Sequence, residues 1–373
     1  MNIKTIKTPS LLLDLDRVKK NAERITNIAK GNGVRLRPHI KTHKCIEVAR
    51  IQTAGHDGAI TVSTLAEARV FSQNGFSDIT YAVPIEPGKF AEAVDIVRIG
   101  VKLNLLTDDA EAAKQFDDAA GRAGVRFDVF LKIDCGTHRV GVEPHTSEAV
   151  DIPRQLSDAA NLNFAGILTH AGHSYNVKTI DEIKAVARHE RDVMVELATR
   201  LRSMGIEVPT VSIGSTPTIN HIDHLDGIDE VRPGNYIFFD GYQATLGSCS
   251  FDDCALTVLA AVVHRDASRR KIVIDAGGIA MSKDRGPVGL DPACGYGHVL
   301  DLDGNETGMR VTSLSQEHGE IQAEDEATLA RFKVGDRLRI LANHSCMTAA
   351  QHSHYNVLEG GKIIDTWEIH GGW

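Results

Sequence analysis

The octapeptide RPHIKTHK gathers Arg37, His39, Lys41, His43 and Lys44 within a few positions of one another. A lysine set among cations has its charged form disfavoured, and one that sheds its proton near neutrality can act as a base or attack a carbonyl. A charge run by itself is more often a wetted loop, so Lys41 gains meaning only from its place in the fold. A second pair stands in NHSC, where His344 and Cys346 are two positions apart in a strand-like stretch and would point to one face. Imidazole with thiolate suits zinc or a similar divalent ion, and open positions on such an ion would take water or substrate. Two ligands do not complete a structural site, and a buried cysteine beside a hydrogen-bonded histidine gives the same pattern. His318, His352 and His354 are possible further ligands, with hydrogen bonding or a surface position as the plainer reading.

The elements that must position these groups repeat regularly. A short strand in VRLRPHIK is followed by AITVST, DITYAVP, KLNLLT, RFDVFLKID, LNFAGILTH, TVSIGS and DEVRPGNY, with helical stretches such as LAEARVFSQNG and TIDEIKAVARHERDVMVELATRLRSMG between them. Sustained βα alternation predicts a parallel sheet, and eight units fit an α/β (β/α)8 TIM-like barrel over residues 16–245. An open doubly wound sheet is the alternative, but no GxGxxG follows the first strand. From residue 246 to 373 the texture becomes strand-rich and helix-poor, which predicts an appended β-domain. Residues 1–15 contain the strand-like TPSLLLDLD, which could pair into it.

In such barrels the reactive groups sit at the C-terminal strand ends. Those ends here carry Lys41, then Arg139 in GTHRVG, then His170, His173 and Tyr175 in LTHAGHSY, then Gly214, Ser215 and Thr216 in IGSTPT, then Arg232, Gly234, Asn235 and Tyr236 in RPGNY. IGSTPT and PGN lie after the seventh and eighth strands, where these barrels commonly hold a phosphate. Each is a common turn alone; together they predict a phosphate cradle. A cradle facing a strand-end lysine points to pyridoxal 5′-phosphate (PLP). Lys132, inside the fifth strand, is the rival carrier lysine, or a buried partner for an acid such as Asp134.

Composition narrows the partners. The 373 residues carry a formal net charge of −9 with no long basic run, which disfavours nucleic acid and anionic membrane. The opening MNIKTIKTPS lacks the apolar core of a signal peptide, and six scattered cysteines show no CxxC spacing, so a cytoplasmic protein without disulfides is expected. No apolar run approaches the roughly 20 residues of a membrane span.

Taken in order, RPHIKTHK, TVSTLAEA, GILTHAGHSY, SIGSTPT, VRPGNYIFFD, SQEHG and NHSC resemble the D-serine dehydratase/D-threonine aldolase-like family of PLP enzymes, relatives of alanine racemase. The closing TW…HGGW and NHSCMTAAQ resemble the D-serine and D-threo-3-hydroxyaspartate dehydratase branch. The resemblance implies Lys41 as the Schiff-base lysine, Arg139 on the cofactor's phenolic oxygen, and His170 stacked on its pyridine ring. It implies Gly214, Ser215, Thr216, Gly234, Asn235 and Tyr236 around the phosphate, Arg232 at the pyridine nitrogen, and Tyr175 near the reacting centre. His344 and Cys346 would hold a divalent metal: zinc, or manganese or magnesium. It also implies a homodimer whose active site lies where the barrel of one chain meets the β-domain of the other. The expected reaction is dehydration of a small D-3-hydroxyamino acid, with Lys41 as base and His138 or His173 near a second substrate carboxylate. Retro-aldol cleavage to glycine and an aldehyde is the nearest alternative, for which the aldolase branch is expected to show His-x-Asp at the metal pair. Racemisation would need a second base, and Tyr296 and Tyr355 are the only tyrosines of the β-domain. A non-catalytic PLP-binding protein of this barrel type would lack the second domain.

Overall fold

The computed structural model describes residues 3–373. After β1 (Ser10–Asp14) come β2 (Arg35–Leu36), β3 (Ile60–Val62), β4 (Asp78–Pro84), β5 (Lys102–Thr107), β6 (Phe127–Lys132), β7 (Leu162–Leu168), β8 (Val211–Ile213) and β9 (Glu230–Val231). The chain then forms β10 (Leu256–Asp266), β11 (Lys271–Ile274), β12 (Gly297–Leu300), β13 (Glu306–Leu314), β14 (Gly319–Gln322), β15 (Arg337–Ala342), β16 (His354–Glu359) and β17 (Lys362–Glu368). Two compact units result, one of Arg24–Gly234 with His370–Trp373, the other of the residues through Glu23 with Asn235–Ile369.

In the first unit β2 to β9 form a parallel eight-stranded sheet in the order β2-β9-β8-β7-β6-β5-β4-β3. A single bridge between His39 and Thr61, with Thr61 N donating to the Pro38 carbonyl at 2.9 Å, joins the two end strands. The strands are short and apolar because helices such as Leu65–Gln73 and Ile180–Ser203 cover the sheet. VRLRPHIK is only briefly a strand: Leu36 ends β2, and Ile40–Thr42 wind into a 3-10 turn that carries Lys41.

The interior of this barrel is not wholly apolar. Arg37, 2% exposed, is held by Glu230 and Asp78, each at 2.6 Å, and Arg35 reaches Asp78 at 2.8 Å. Burial opposes the charge on Asp78, but the two guanidiniums hold its carboxyl well below the usual carboxylate range. That stabilisation is complete above the ordinary aspartate value of about 4 and is lost as pH falls through the depressed folded-state value.

The second unit is a nine-stranded sheet ordered β11-β14-β13-β12-β15-β10-β1-β16-β17, with a further pairing of β11 to β10. The N-terminal strand β1 lies antiparallel to β10 and parallel to β16, with Leu11, Leu12 and Leu13 fully buried. Each such leucine contributes roughly 1.5–3 kcal/mol of burial, which keeps this strand in the sheet although it is remote in sequence. The units divide at Gly234–Asn235, ahead of the 245/246 boundary that composition suggested. Residues 240–242 are bound within the second unit: Asp240 accepts from Ser345 N at 2.9 Å, and Tyr242 N donates to the Asn343 carbonyl at 3.0 Å. Among the described residues no helix is long and apolar enough to cross a membrane, and no disulfide joins the cysteines.

Removing the guanidinium from the barrel interior leaves Glu230 and Asp78 without their main counter-charge. Arg37→Met is expected to lower stability by about 3–5 kcal/mol, read as a fall in the urea midpoint; an unchanged midpoint would contradict this account.

Candidate functional site

At the barrel rim the 3-10 turn presents Lys41 to solvent, and His39 caps the turn by accepting from Lys41 N at 3.4 Å. Gly234 explains how the loop after β9 passes this turn. A Cβ there would stand 2.9 Å from both Cβ and the carbonyl oxygen of His39. Gly214, at φ +136°, is constrained likewise, since a Cβ would meet Arg232 N at 2.8 Å. Both glycines are therefore close-approach positions.

The flanking residues of RPHIKTHK do not supply the cationic field expected of them. Burial pushes the His43 pKa down to about 4; its Nε2 pairs with Gln52 at 2.8 Å and its Nδ1 accepts from Cys45 N at 3.0 Å. Burial, then the charges of Lys41 and Arg232, hold His39 well below its ordinary value, so it too is neutral. Arg37 is neutralised by its acids, and Lys44 lies 3.6 Å from Glu67. The positive groups that matter come from other strand ends. Burial and then Lys41, Lys132 and Arg139 depress His170, whose Nδ1–H donates to the Gly214 carbonyl at 2.8 Å. His170 is thus a neutral imidazole with its proton on Nδ1, set amid three cations.

Lys132 is 5% exposed and donates to the Ile133 carbonyl at 3.1 Å; burial, then Arg232, pulls its pKa down to about 8. A carrier lysine must reach a molecule arriving from solvent, and of the two only Lys41 is exposed. Arg232 is turned into the barrel wall, donating to Ser212 Oγ and to the carbonyls of Ile213 and Thr169. Burial lowers its pKa to about 10 against the pull of Glu230 and Glu190.

Ser215 caps the helix Thr216–His221, and its hydroxyl is shared with Thr218 Oγ1 and Ser174 Oγ, each at 3.0 Å. Ser174 in turn donates to the Ala171 carbonyl at 2.7 Å. This ties the loop after β8 to the 3-10 turn Gly172–Tyr175, which carries His173 and Tyr175. His173 Nδ1 lies 3.3 Å from Thr137 Oγ1, and burial holds its pKa below normal. The loop bearing Arg139 is folded around Asp134, whose Oδ1 accepts the N–H groups of Gly136, Thr137 and His138 at 2.9–3.1 Å. His138 Nδ1 lies between Asp134 and Glu143, at 3.2 and 3.4 Å.

In the second unit His344 and Cys346 come together, but not through strand alternation. β15 ends at Ala342; His344 caps the helix Ser345–Ala349, and Cys346 stands in its first turn. His344 Nδ1 donates to Asp284 Oδ2 at 2.5 Å. Burial opposes its charge, but Asp284, then Cys346 and Asp240, raise its pKa to about 11. Asp284 is itself fixed, with Oδ1 accepting from Gly286 N at 2.8 Å, and Asn343 Nδ2 holds the same loop through the Arg285 carbonyl at 2.9 Å. Asp240, 1% exposed, caps Gly241–Leu246 and accepts from Asn235 Nδ2 at 2.8 Å and Ser345 N at 2.9 Å.

Asn235 Nδ2 also lies 3.0 Å from Ser345 Oγ and 3.4 Å from Cys346 Sγ, so its amide donors serve this cluster. Its Oδ1 is buried without a hydrogen-bond partner. Tyr236 is fully buried in the same turn. His352 Nε2 is taken by the Ala280 carbonyl at 2.9 Å, His354 pairs with Ser353 Oγ at 2.8 Å, and His318 is exposed. An imidazole fixed through Nδ1 beside a thiol and a buried carboxylate fits a divalent ion, and the glycine-lined barrel rim with its exposed lysine and neutral histidine fits PLP.

Sequence reasoning missed Asp240, Asp284 and Glu190. Asp240 carries an N-cap signal before GYQATL, and Glu190 falls on the buried stripe Ile183, Ala187, Met194, Leu197 of its helix, a charged residue where an apolar one is expected. Asp284, in an irregular loop, gives no signal.

Residues 13–241 match the alanine racemase N-terminal domain and residues 255–358 a putative serine dehydratase domain. The chain is 41% identical to D-threo-3-hydroxyaspartate dehydratase of Delftia sp. (strain HT23) over 99% of this chain and 98% of that one. It is 35% identical to D-serine dehydratase of Dictyostelium discoideum, over 100% and 98%. The solved Delftia enzyme superimposes with a TM-score of 0.96 at 40% identity, covering 100% of both chains, and a variant of that dehydratase has been solved in a metal-free form. D-threonine aldolase of Filomicrobium marinum gives a TM-score of 0.86 at 29% identity, covering 98% of this chain and 96% of that one. With an alanine racemase-like barrel, a serine dehydratase domain and full-length likeness to both dehydratases, this chain belongs to the D-serine dehydratase/D-threonine aldolase-like family of PLP-dependent lyases.

Proposed function

We propose that this chain is a PLP- and divalent-metal-dependent dehydratase of small D-3-hydroxyamino acids such as D-serine, D-threonine or D-threo-3-hydroxyaspartate, yielding a 2-oxo acid and ammonia. The observation that carries the reading is the His344–Cys346 pair with Asp284 on His344 Nδ1, a sulfur-containing donor set within a unit whose sequence matches a serine dehydratase domain. Bound PLP withdraws electrons from the substrate's α-carbon, and a divalent ion (zinc, or manganese or magnesium) acts as a Lewis acid toward a hydroxyl.

The residues divide the remaining work. Lys41 carries the cofactor and, when released, takes the α-proton on Nζ. Its exposed position on a turn fixed by His39 and Gly234 allows both roles. His170, neutral and bare at Nε2, packs against the ring without adding charge. Arg139 serves the phenolic oxygen, and the turns around Gly214–Thr216 and Gly234–Tyr236 serve the phosphate. Ser215 contributes through its backbone, because its hydroxyl is engaged with Ser174 and Thr218. Arg232, donating into the barrel wall, keeps a guanidinium near the site. His173 and Tyr175 lie with the substrate, and His138 or His173 faces a second carboxylate when the substrate is 3-hydroxyaspartate. The α-proton and the β-hydroxyl leave as water, and the unsaturated amine then hydrolyses to a 2-oxo acid and ammonia. Assembly as a homodimer belongs to the same reading.

Incubation with D-threonine is expected to give 2-oxobutyrate and ammonia, and prior chelation to remove the activity; glycine with acetaldehyde as the sole products would replace dehydration by retro-aldol cleavage. Lys41→Ala should lose the visible absorbance of the PLP-loaded protein, and survival of that band would return Lys132 to consideration. Asp284→Asn is expected to weaken zinc binding by about 10–100-fold in equilibrium dialysis, and an unchanged affinity would remove Asp284 from the metal's support.

A further inference from the structure

Glu190 is the one group on the helix Ile180–Ser203 that is both charged and fully buried. Its Oε1 accepts from Ala171 N at 2.9 Å and from Gly214 N at 3.2 Å, and its Oε2 accepts from Thr218 Oγ1 at 2.9 Å. One carboxylate thus collects donors from the loop after β7, the loop after β8 and the short helix beyond. Burial raises the pKa of a group so enclosed, and the three hydrogen bonds, with the positive charge on Arg232, oppose that rise.

The Gly214 unit is held at both ends. Its N–H goes to Glu190, and its carbonyl accepts from His170 Nδ1–H at 2.8 Å. Ala171, next in the chain to His170, is bound to the same Oε1. We propose that Glu190 is a positioning residue that fixes the ring plane and the Nδ1–H tautomer of His170 by anchoring Gly214 and Ala171. Its significance for catalysis rests on the reading that the rim holds PLP, but the device itself is a property of this chain's own atoms. Burial and the surrounding cations keep His170 neutral, so the tautomer decides whether Nε2 offers a lone pair or a proton to whatever lies against it.

The apoprotein labelled with 15N-histidine reads this directly, with His170 assigned by comparison with His170→Asn. The wild type is expected to show a protonated Nδ1 and a bare Nε2. Glu190→Gln should keep that signature, since its amide oxygen can accept both N–H groups and its amide nitrogen can donate to Thr218 Oγ1. Glu190→Ala should mix the two tautomers and weaken PLP binding by roughly tenfold. If the alanine variant does not fold, Glu190→Asp, too short to hold both loops, decides in its place. An unaltered His170 signature in the folded alanine or aspartate variant would overturn the proposal. Absence of PLP binding by the wild type would count against the cofactor reading and leave the tautomer result standing.

Discussion

Charge inside a parallel barrel is the constraint on which the rest of this protein depends. A barrel packed only with apolar side chains could not aim polar groups at its own rim, whereas buried ions are tolerated only when each is paired and hydrogen-bonded. Arg37, Arg232 and Lys132 therefore occur with Asp78, Glu230 and Glu190 among the buried or nearly buried groups of the first unit. Ser212 links the two halves of this set, donating to Glu230 at 2.7 Å and accepting from Arg232. The balance leaves Lys41 and Arg139 as cations at the exposed edge.

The histidines show how burial sorts residues of one type. His39, His43 and His170 are all pushed below their ordinary pKa, and each has a defined hydrogen-bond partner that sets its tautomer. His344 goes the other way, because it faces Asp284 and Cys346 in place of cations. One ring type thus serves as scaffold, as a neutral surface and as a cationic or metal-binding group, according to what each is packed against.

Much of this was legible in the chain. The eight strands of the barrel follow from alternation of apolar runs with amphipathic helices, and all eight fall within the segments that read as strands. The glycines at 214 and 234 stood in turns that read as a phosphate cradle, and their close approach to Arg232 and His39 emerged only from the fold. The pattern could not say what each polar residue touches. RPHIKTHK read as a cationic field because sequence shows side-chain types but not their partners, and four of its members, Arg37, His39, His43 and Lys44, proved neutral or paired through contacts as distant as Glu230. NHSC read as a strand because it continues the strand-like DRLRILA, whereas the turn at Asn343 and the N-cap position of His344 bring the pair together at the start of a helix. Asp284 is far from His344 in sequence and could be found only in three dimensions.

The pairing of β1 has a consequence for how the protein is made. Leu11 lies opposite Val258 on one side and Tyr355 on the other, so a strand made before the barrel waits for partners made after it. The intervening barrel can close from contiguous chain during synthesis, while the nine-stranded unit must hold the apolar β1 in reserve until β10 and β16 have been made. Until then that segment leaves three consecutive leucines open to chaperones and to aggregation.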